Sequence, residues 1–219
     1  MPRLLFEKTG DSVWISHLDL MRLFQRAFKR AGLSLVHSRG FNPRPSVSIA
    51  LPLSVGIGSR CELLDFELEG EKVSNGEILR RLNENLVSGI RILDVYDEGR
   101  KLKHLALLQC AVVFEYDAGI PEGAEEALTE LFARPSLTVE KHGKNGTVQQ
   151  DIIPMIRKLQ VTRQDTHTLG IDALICCQNP TLNPMQLSAA VEVYLPAYKA
   201  DFVKYSRIEM FDTEENIFR

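Results

Sequence analysis

Three arginines, Arg22, Arg26 and Arg30, recur every fourth residue. On a helix that spacing aligns them as one ridge, with Lys29 beside it. A guanidinium is a rigid fork that matches phosphate or carboxylate. At 1.5 Å per residue the three span about 12 Å, enough to follow several phosphates of a strand. The opposing reading is a solvated helix face on which Asp19 pairs with Arg22 three residues on. A second cluster lies in the loop Ser38-Arg39-Gly40-Phe41-Asn42-Pro43-Arg44-Pro45. Pro43 and Pro45 fix their own φ and restrict Asn42 and Arg44 before them. Gly40 permits a turn that other residues resist. A stiff loop loses little entropy on binding. This one presents Arg39, Phe41, Asn42 and Arg44, an aromatic flanked by guanidiniums, which suits base stacking with phosphate pairing. Against it stands a structural reading, in which Phe41 staples the loop to the core and Arg39 pairs with Glu62 or Asp65.

Ser16-His17-Leu18-Asp19 opens the helix that carries the ridge. His17 falls at the helix start on the apolar side, where hydrogen bonding fixes the preceding loop and Asp19 helps to brace it. A histidine also titrates near neutrality, so general-base chemistry is the second reading of His17; no second catalytic group accompanies it in sequence. Trp14 reads either as a core anchor or as an exposed stacking platform. Cys176-Cys177 falls in a strand with the two side chains on opposite faces, so they do not form a reactive pair. The chain has no Gly-rich phosphate loop, no three-cysteine cluster motif, no metal spacing among its five histidines and no Gly-x-Ser-x-Gly elbow. The motifs favour binding over catalysis.

Composition sets the frame. The 219 residues suffice for one large domain or two small ones. With 44% hydrophobic and 25% charged residues, an ordered globular chain is expected rather than a disordered one. No stretch approaches the roughly 18 apolar residues that span a bilayer, so no membrane role is expected. The N-terminus does not read as a secretory signal, and four cysteines without disulfide or zinc spacing fit a reducing cytoplasm. The net charge of −3 hides an asymmetry. Residues 1–45 hold eight basic side chains against three acidic, while the rest holds 18 against 26.

The elements that must position these residues follow from pattern. Residues 3–8 read as a strand. Ser16 caps a helix that Gly32 ends, with Leu20, Leu23, Phe24, Ala27, Phe28 and Ala31 on one side. Residues 33–37 read as a second strand, 47–53 as extended chain broken by Gly56 and Gly58, and 62–68 as an alternating strand. Ser74 and Glu77 form a capping box for a helix stopped near Gly89, and 90–96 is a strand. The order β-α-β-β-α-β is that of a ferredoxin-like unit. After a charged linker the order repeats. Residues 105–116 read as a strand, and a helix runs from Pro121 to Ala133. Strands at 137–141 and 147–151 form a hairpin around His142-Gly143-Lys144-Asn145-Gly146. A short helix at 152–159, a strand at 169–176 and a helix from Asn183 to about Tyr194 complete the reading. The tail after Pro196 carries no pattern, although Tyr198, Phe202 and Tyr205 suggest that it docks. The fold class is therefore α+β: two ferredoxin-like (βαββαβ) units in tandem with an extra C-terminal helix, over residues 1–98 and 104–219.

An ordered series of motifs then carries a resemblance. Lys8-x-Gly10, Ile15-Ser16-His17-Leu18-Asp19-Leu20-Met21-Arg22, Arg26-Ala27, Arg30-Ala31-Gly32-Leu33, Gly40-Phe41-Asn42-Pro43-Arg44-Pro45 and Leu51-Pro52-Leu53-x-Val55-Gly56, with Glu62 and Asp65, resemble the radical-SAM-linked protein family. The match is dense over residues 4–68 and looser to about 210. The resemblance implies a cobalamin-binding radical S-adenosylmethionine protein as partner. That protein would hold the iron–sulfur cluster, S-adenosylmethionine and cobalamin, with no cofactor in this chain. It also hints at RNA or a ribosomal component. Trp14 stands where a smaller aromatic is expected, and Arg44 where members carry His, which weakens acid–base chemistry there. The expected function is a non-catalytic accessory or substrate-recognition subunit that binds RNA or a ribonucleoprotein component. Arg22, Arg26, Arg30, Arg39, Phe41, Asn42 and Arg44 would bind, supported by His17, Asp19, Glu62 and Asp65. Two alternatives stand beside it: a metal-independent RNA-processing enzyme using His17 or His37, and a pure protein-docking module.

Overall fold

Leu4 and Phe6, two residues apart, are wholly buried, because an extended segment turns alternate side chains to one face. They lie on strand β1, Arg3–Lys8. The computed structural model describes residues 1–143 and 146–219, and its chain divides into two units, Met1–His104 with Arg219, and Leu105–Phe218.

In the first unit β1 is followed by helix α1 (His17–Arg30), strands β2 (Val47–Ile49) and β3 (Ile57–Phe66), helix α2 (Asn75–Asn85) and strand β4 (Ile90–Tyr96). The strands lie in the order β4-β1-β3-β2, every neighbouring pair antiparallel. One core holds Leu4, Phe6, Leu64, Phe66, Ile90 and Ile92 from the sheet, Phe24 and Phe28 from α1, and Ile78 and Leu82 from α2. Both helices therefore cover the same face, which is the ferredoxin-like arrangement. Phe6 meets Phe24 edge to face at 4.7 Å, a geometry worth about 1 kcal/mol beyond its burial.

Local chemistry sets the ends of α1. The Ser16 Oγ accepts the Asp19 N–H at 3.2 Å. At the far end Gly32 adopts φ +68°, and the Leu33 N–H reaches back to the Phe28 carbonyl at 2.9 Å, a Schellman closure. Ser74 caps α2 through the Glu77 N–H at 3.4 Å. The Glu77 carboxylate does not complete the expected box; it turns forward to Arg80 and Arg81.

Two strand assignments differ from the sequence reading. Residues 33–37 make only isolated bridges, Leu35 to Leu68 and His37 to Pro45; the ladder beside β3 belongs to Val47–Ile49. Prolines at 43 and 45 lack the N–H a ladder needs, so continuous pairing begins beyond them. Strand β3 begins at Ile57 and contains Gly58, which is buried within it rather than breaking the chain.

The second unit repeats the topology. Strand β5 (Leu107–Glu115) and helix α3 (Ala124–Phe132) lead into an inserted hairpin, β6 (Thr138–Gly143) with β7 (Gly146–Asp151). The expected turn residues Lys144 and Asn145 lie outside the described residues. Strands β8 (Ile156–Arg163) and β9 (Thr168–Cys176), helix α4 (Met185–Tyr194) and strand β10 (Phe202–Phe211) complete it. The order is β10-β5-β9-β8, again antiparallel throughout. The short helix expected at 152–159 is a single 3₁₀ turn, Ile153–Met155, running into β8. Pro154 starts the turn, but Ile156, Leu159 and Val161 then pair along β9. The C-terminal helix is present as α4, and it is the second helix of this unit. The segment after Pro196 supplies its fourth strand, β10. Among the described residues no helix is long and apolar enough to cross a membrane.

Candidate functional site

Helix α1 turns Leu20, Phe24, Ala27 and Phe28 inward, which forces Arg22, Arg26, Lys29 and Arg30 outward, and all four are exposed. They differ in what they already hold. Arg22 donates to Asp19 Oδ1 at 3.0 Å. Asp19 also accepts the Ser16 hydroxyl at 2.7 Å. These two bonds, the Ser16 one foremost, hold the Asp19 carboxyl below the usual carboxylate range. Arg30 donates to the carbonyl of Asn85, the last residue of α2, and so satisfies one of that helix's orphan acceptors. Arg26 and Lys29 carry no ion pair or hydrogen bond among the described residues.

Shallow grooves flank the ridge on both sides. One runs between α1 and the turn before β4, past Ile15, Asp19, Arg22, Arg30 and Val87. The other runs between α1 and the segment leading into the proline loop, past Gln25, Lys29, Leu35, His37 and Pro45. Arg26 lines both.

The proline loop stands at the edge of the second groove on a closed neck. His37 bridges Pro45, the Ser38 N–H donates to the Arg44 carbonyl at 2.8 Å, and the Arg44 N–H donates to the Ser38 Oγ at 3.0 Å. Above the neck Arg39, Gly40, Phe41, Asn42 and Pro43 are exposed, as is Arg44. Gly40 takes φ +132°, where a side chain would strain the turn. Phe41 is fully exposed, so it does not staple the loop to the core. The side chains of Arg39 and Arg44 have no ion-pair partner among the described residues.

The supporting roles expected for Glu62, Asp65 and His17 are not the ones the structure shows. Asp65 is held by Arg3, whose Nε and Nη2 donate at 2.6 and 3.1 Å. Glu62 is wholly buried opposite Phe6, on the core face of β3. Neither forms an ion pair with Arg39. The His17 side chain makes no hydrogen bond among the described residues, and its Nδ1 is buried without a partner. His17 opens α1, while His37 lines the groove beside the second half of that helix; the two histidines belong to no common site.

Lys8 does the bracing instead. It is wholly buried, and its Nζ donates to the carbonyls of Val13 and Ile15 at 2.9 and 2.8 Å. Those carbonyls flank Trp14, which is 60% exposed. The Trp14 ring lies against Gly56, where an added Cβ would sit 3.3 Å from a ring carbon. The Gly56 N–H in turn donates to Val13 at 2.8 Å. The sequence signal for Lys8 was its place in the Lys8-x-Gly10 motif; nothing in its residue type announces burial. Burial also pushes the thiols of Cys110 and Cys177 up to about 12, which leaves them inert. No group of three or more His, Cys, Asp or Glu among the described residues is placed to hold a metal ion.

The arrangement is an exposed cationic ridge and loop with exposed aromatic rings on the first of two ferredoxin-like units, and the class the fold defines is a two-unit α+β protein. By sequence, the chain belongs to the family described as "Uncharacterized protein conserved in bacteria (DUF2344)", whose model matches residues 2–184. No curated protein matches it. Among solved structures it is similar to a chain of a Cbf5–Nop10–Gar1 complex, with TM-score 0.53 and 7% identity. That alignment covers 95% of this chain and 48% of the other, so this chain spans about half the length of the protein it matches. At that identity the likeness is one of fold, compatible with ferredoxin-like units. A protein of unknown role from Galdieria sulphuraria aligns over 94% of this chain with 12% identity, but at TM-score 0.26 it carries no argument.

Proposed function

We propose that this chain is a non-catalytic accessory or substrate-recognition subunit that binds RNA, free or within a ribonucleoprotein, through α1 and the proline loop. The observation that carries the reading is the set of four exposed cations, Arg26, Lys29, Arg39 and Arg44, none of which forms an ion pair among the described residues, although Glu69 lines the groove beside Arg26 and Lys29. Unpaired guanidiniums on a pre-closed loop meet a phosphate without breaking an existing bond. Arg22 adds a further contact by leaving Asp19, since an exposed pair of that kind holds only about 0–1 kcal/mol. Arg30 stays with α2 and borders the groove, and Asn42 offers amide donors and an acceptor beside Phe41.

The ordered motifs over residues 4–68 support the partner: a cobalamin-binding radical S-adenosylmethionine protein that carries the iron–sulfur cluster and performs the chemistry on the substrate presented here. On this reading the pair is cytoplasmic, where an RNA target would be met. The test is a double charge reversal, Arg26→Glu with Arg44→Glu. RNA retained from cell lysate is expected to fall to background, and the salt dependence of residual binding to flatten by roughly 0.7 per lost contact. Unchanged retention would overturn the RNA reading. Co-purification of the partner that survives nuclease, with no nucleic acid bound, would favour a pure docking module.

A further inference from the structure

Two aromatic rings face solvent on the first unit, and the backbone beneath each is tied down. Trp14 is clamped from behind: buried Lys8 bonds the carbonyls on either side of it, and Gly56 backs the ring. Phe41 rides on a loop whose neck is closed at Ser38–Arg44 and His37–Pro45. Neither ring contributes to the core, so packing does not explain why their backbones are fixed. An exposed ring on a tied-down backbone is a platform that binds a flat partner at reduced entropic cost. Trp14 lies three residues before the first residue of α1, and the neck of the proline loop, His37 and Pro45, lines the groove along the second half of that helix. From the Trp14 end α1 runs fourteen residues, about 20 Å, with Arg26 and Lys29 exposed and outside any ion pair among the described residues.

We infer that the RNA taken by this surface is single-stranded, with one unpaired base stacked on Trp14, another on Phe41, and the intervening backbone phosphates on Arg26 and Lys29. This deepens the RNA reading above and rests on it. Rings of this kind have nothing to stack on in a duplex, whose base faces are covered and whose recognition runs through shape, phosphates and 2′-hydroxyls. A stacking platform is tolerant of sequence, because every base has a π-face. Discrimination among bases therefore falls to Asn42, which can pair with a base edge next to Phe41.

The chain has a single tryptophan, so its fluorescence reports this one site. The experiment titrates the full-length protein with a short labelled RNA strand of mixed sequence and, in parallel, with the same strand annealed to its complement. The single strand is expected to bind more tightly and to quench Trp14 emission saturably. Trp14→Ala and Phe41→Ala are each expected to weaken single-strand binding by about tenfold without changing its salt dependence. Trp14→Phe, which keeps a ring on Gly56, should retain most of the affinity and so separates stacking from misfolding. Equal affinity for duplex, or unchanged single-strand binding in both alanine variants, would overturn this inference and leave the arginine surface standing. Binding of neither RNA would end both readings and point to a protein ligand on the same face.

Discussion

Lys8 adds to the positive charge of the first 45 residues, yet its ammonium never reaches solvent. It is spent on two backbone carbonyls that hold the entry to α1. Arg3 is likewise interior and bound to Asp65. The cationic surface is therefore narrower than the residue count implies, and it belongs to side chains from Arg22 onward. Removing the Lys8 ammonium leaves the Ile15 carbonyl without its donor and the Val13 carbonyl with the Gly56 N–H alone, and an acceptor left unsatisfied costs roughly 1–3 kcal/mol. Lys8→Met is expected to lower stability by about 2 kcal/mol in urea unfolding. It should also shift Trp14 emission, because the backbone on both sides of that ring loses its anchor. A stability loss with unaltered emission would mean that Lys8 does not position the ring.

At the scale of elements, α2 shows a helix whose cap and charges are coupled. Glu77 sits in the first turn, where its N–H is capped by Ser74 and its carboxylate bonds Arg80 and Arg81. Those guanidiniums, Arg80 foremost, draw its pKa from an ordinary 4.5 down to about 2. The sign follows from linkage: the folded state holds this proton less tightly than the unfolded chain does. The stabilisation is thus complete above about pH 4.5 and disappears as pH falls toward 2. Thermal unfolding followed over that window should show a decline that Glu77→Gln flattens; an identical pH profile in the variant would contradict the assignment. The same scale holds the errors of pattern reading. Residues 152–159 combine a proline start with apolar spacing that fits a helix as well as a strand, and only the open side of β9 decides for β8. Strand β10 has charged and aromatic residues on a half-buried ladder beside β5, so no clean alternation marks it.

Taken whole, the molecule repeats one topology on two unrelated sequences and places its candidate surface on the first. The second copy carries a hairpin between its first helix and second strand instead. All four cysteines are buried. Burial of Cys110 and Cys177 holds their thiols near 12, so almost no thiolate is present at neutral pH. The native protein at pH 8 is expected to react negligibly with a thiol reagent on the timescale in which all four react in urea. A rapidly modified cysteine in the native state would show that one of the cores opens locally.

The amino-acid sequence alone determined what short-range physics controls. It set the caps at Ser16 and Ser74, the left-handed stop at Gly32, the stiffness of the loop around Pro43 and Pro45, the arginine ridge on α1 and the βαββαβ order of the first unit. These depend on φ restriction, hydrogen bonds a few residues apart and the periods of helix and strand. Tertiary structure decided whatever depends on distant neighbours. It left Phe41 in solvent, took Asp65 for Arg3, buried Glu62, gave the His17 side chain no bond, and recruited the unpatterned tail as a fourth strand. It also made Lys8 the support behind Trp14. A charged side chain looks the same in sequence whether it meets water or a buried carbonyl, because the free energy that separates the two outcomes lies in partners brought close only by folding.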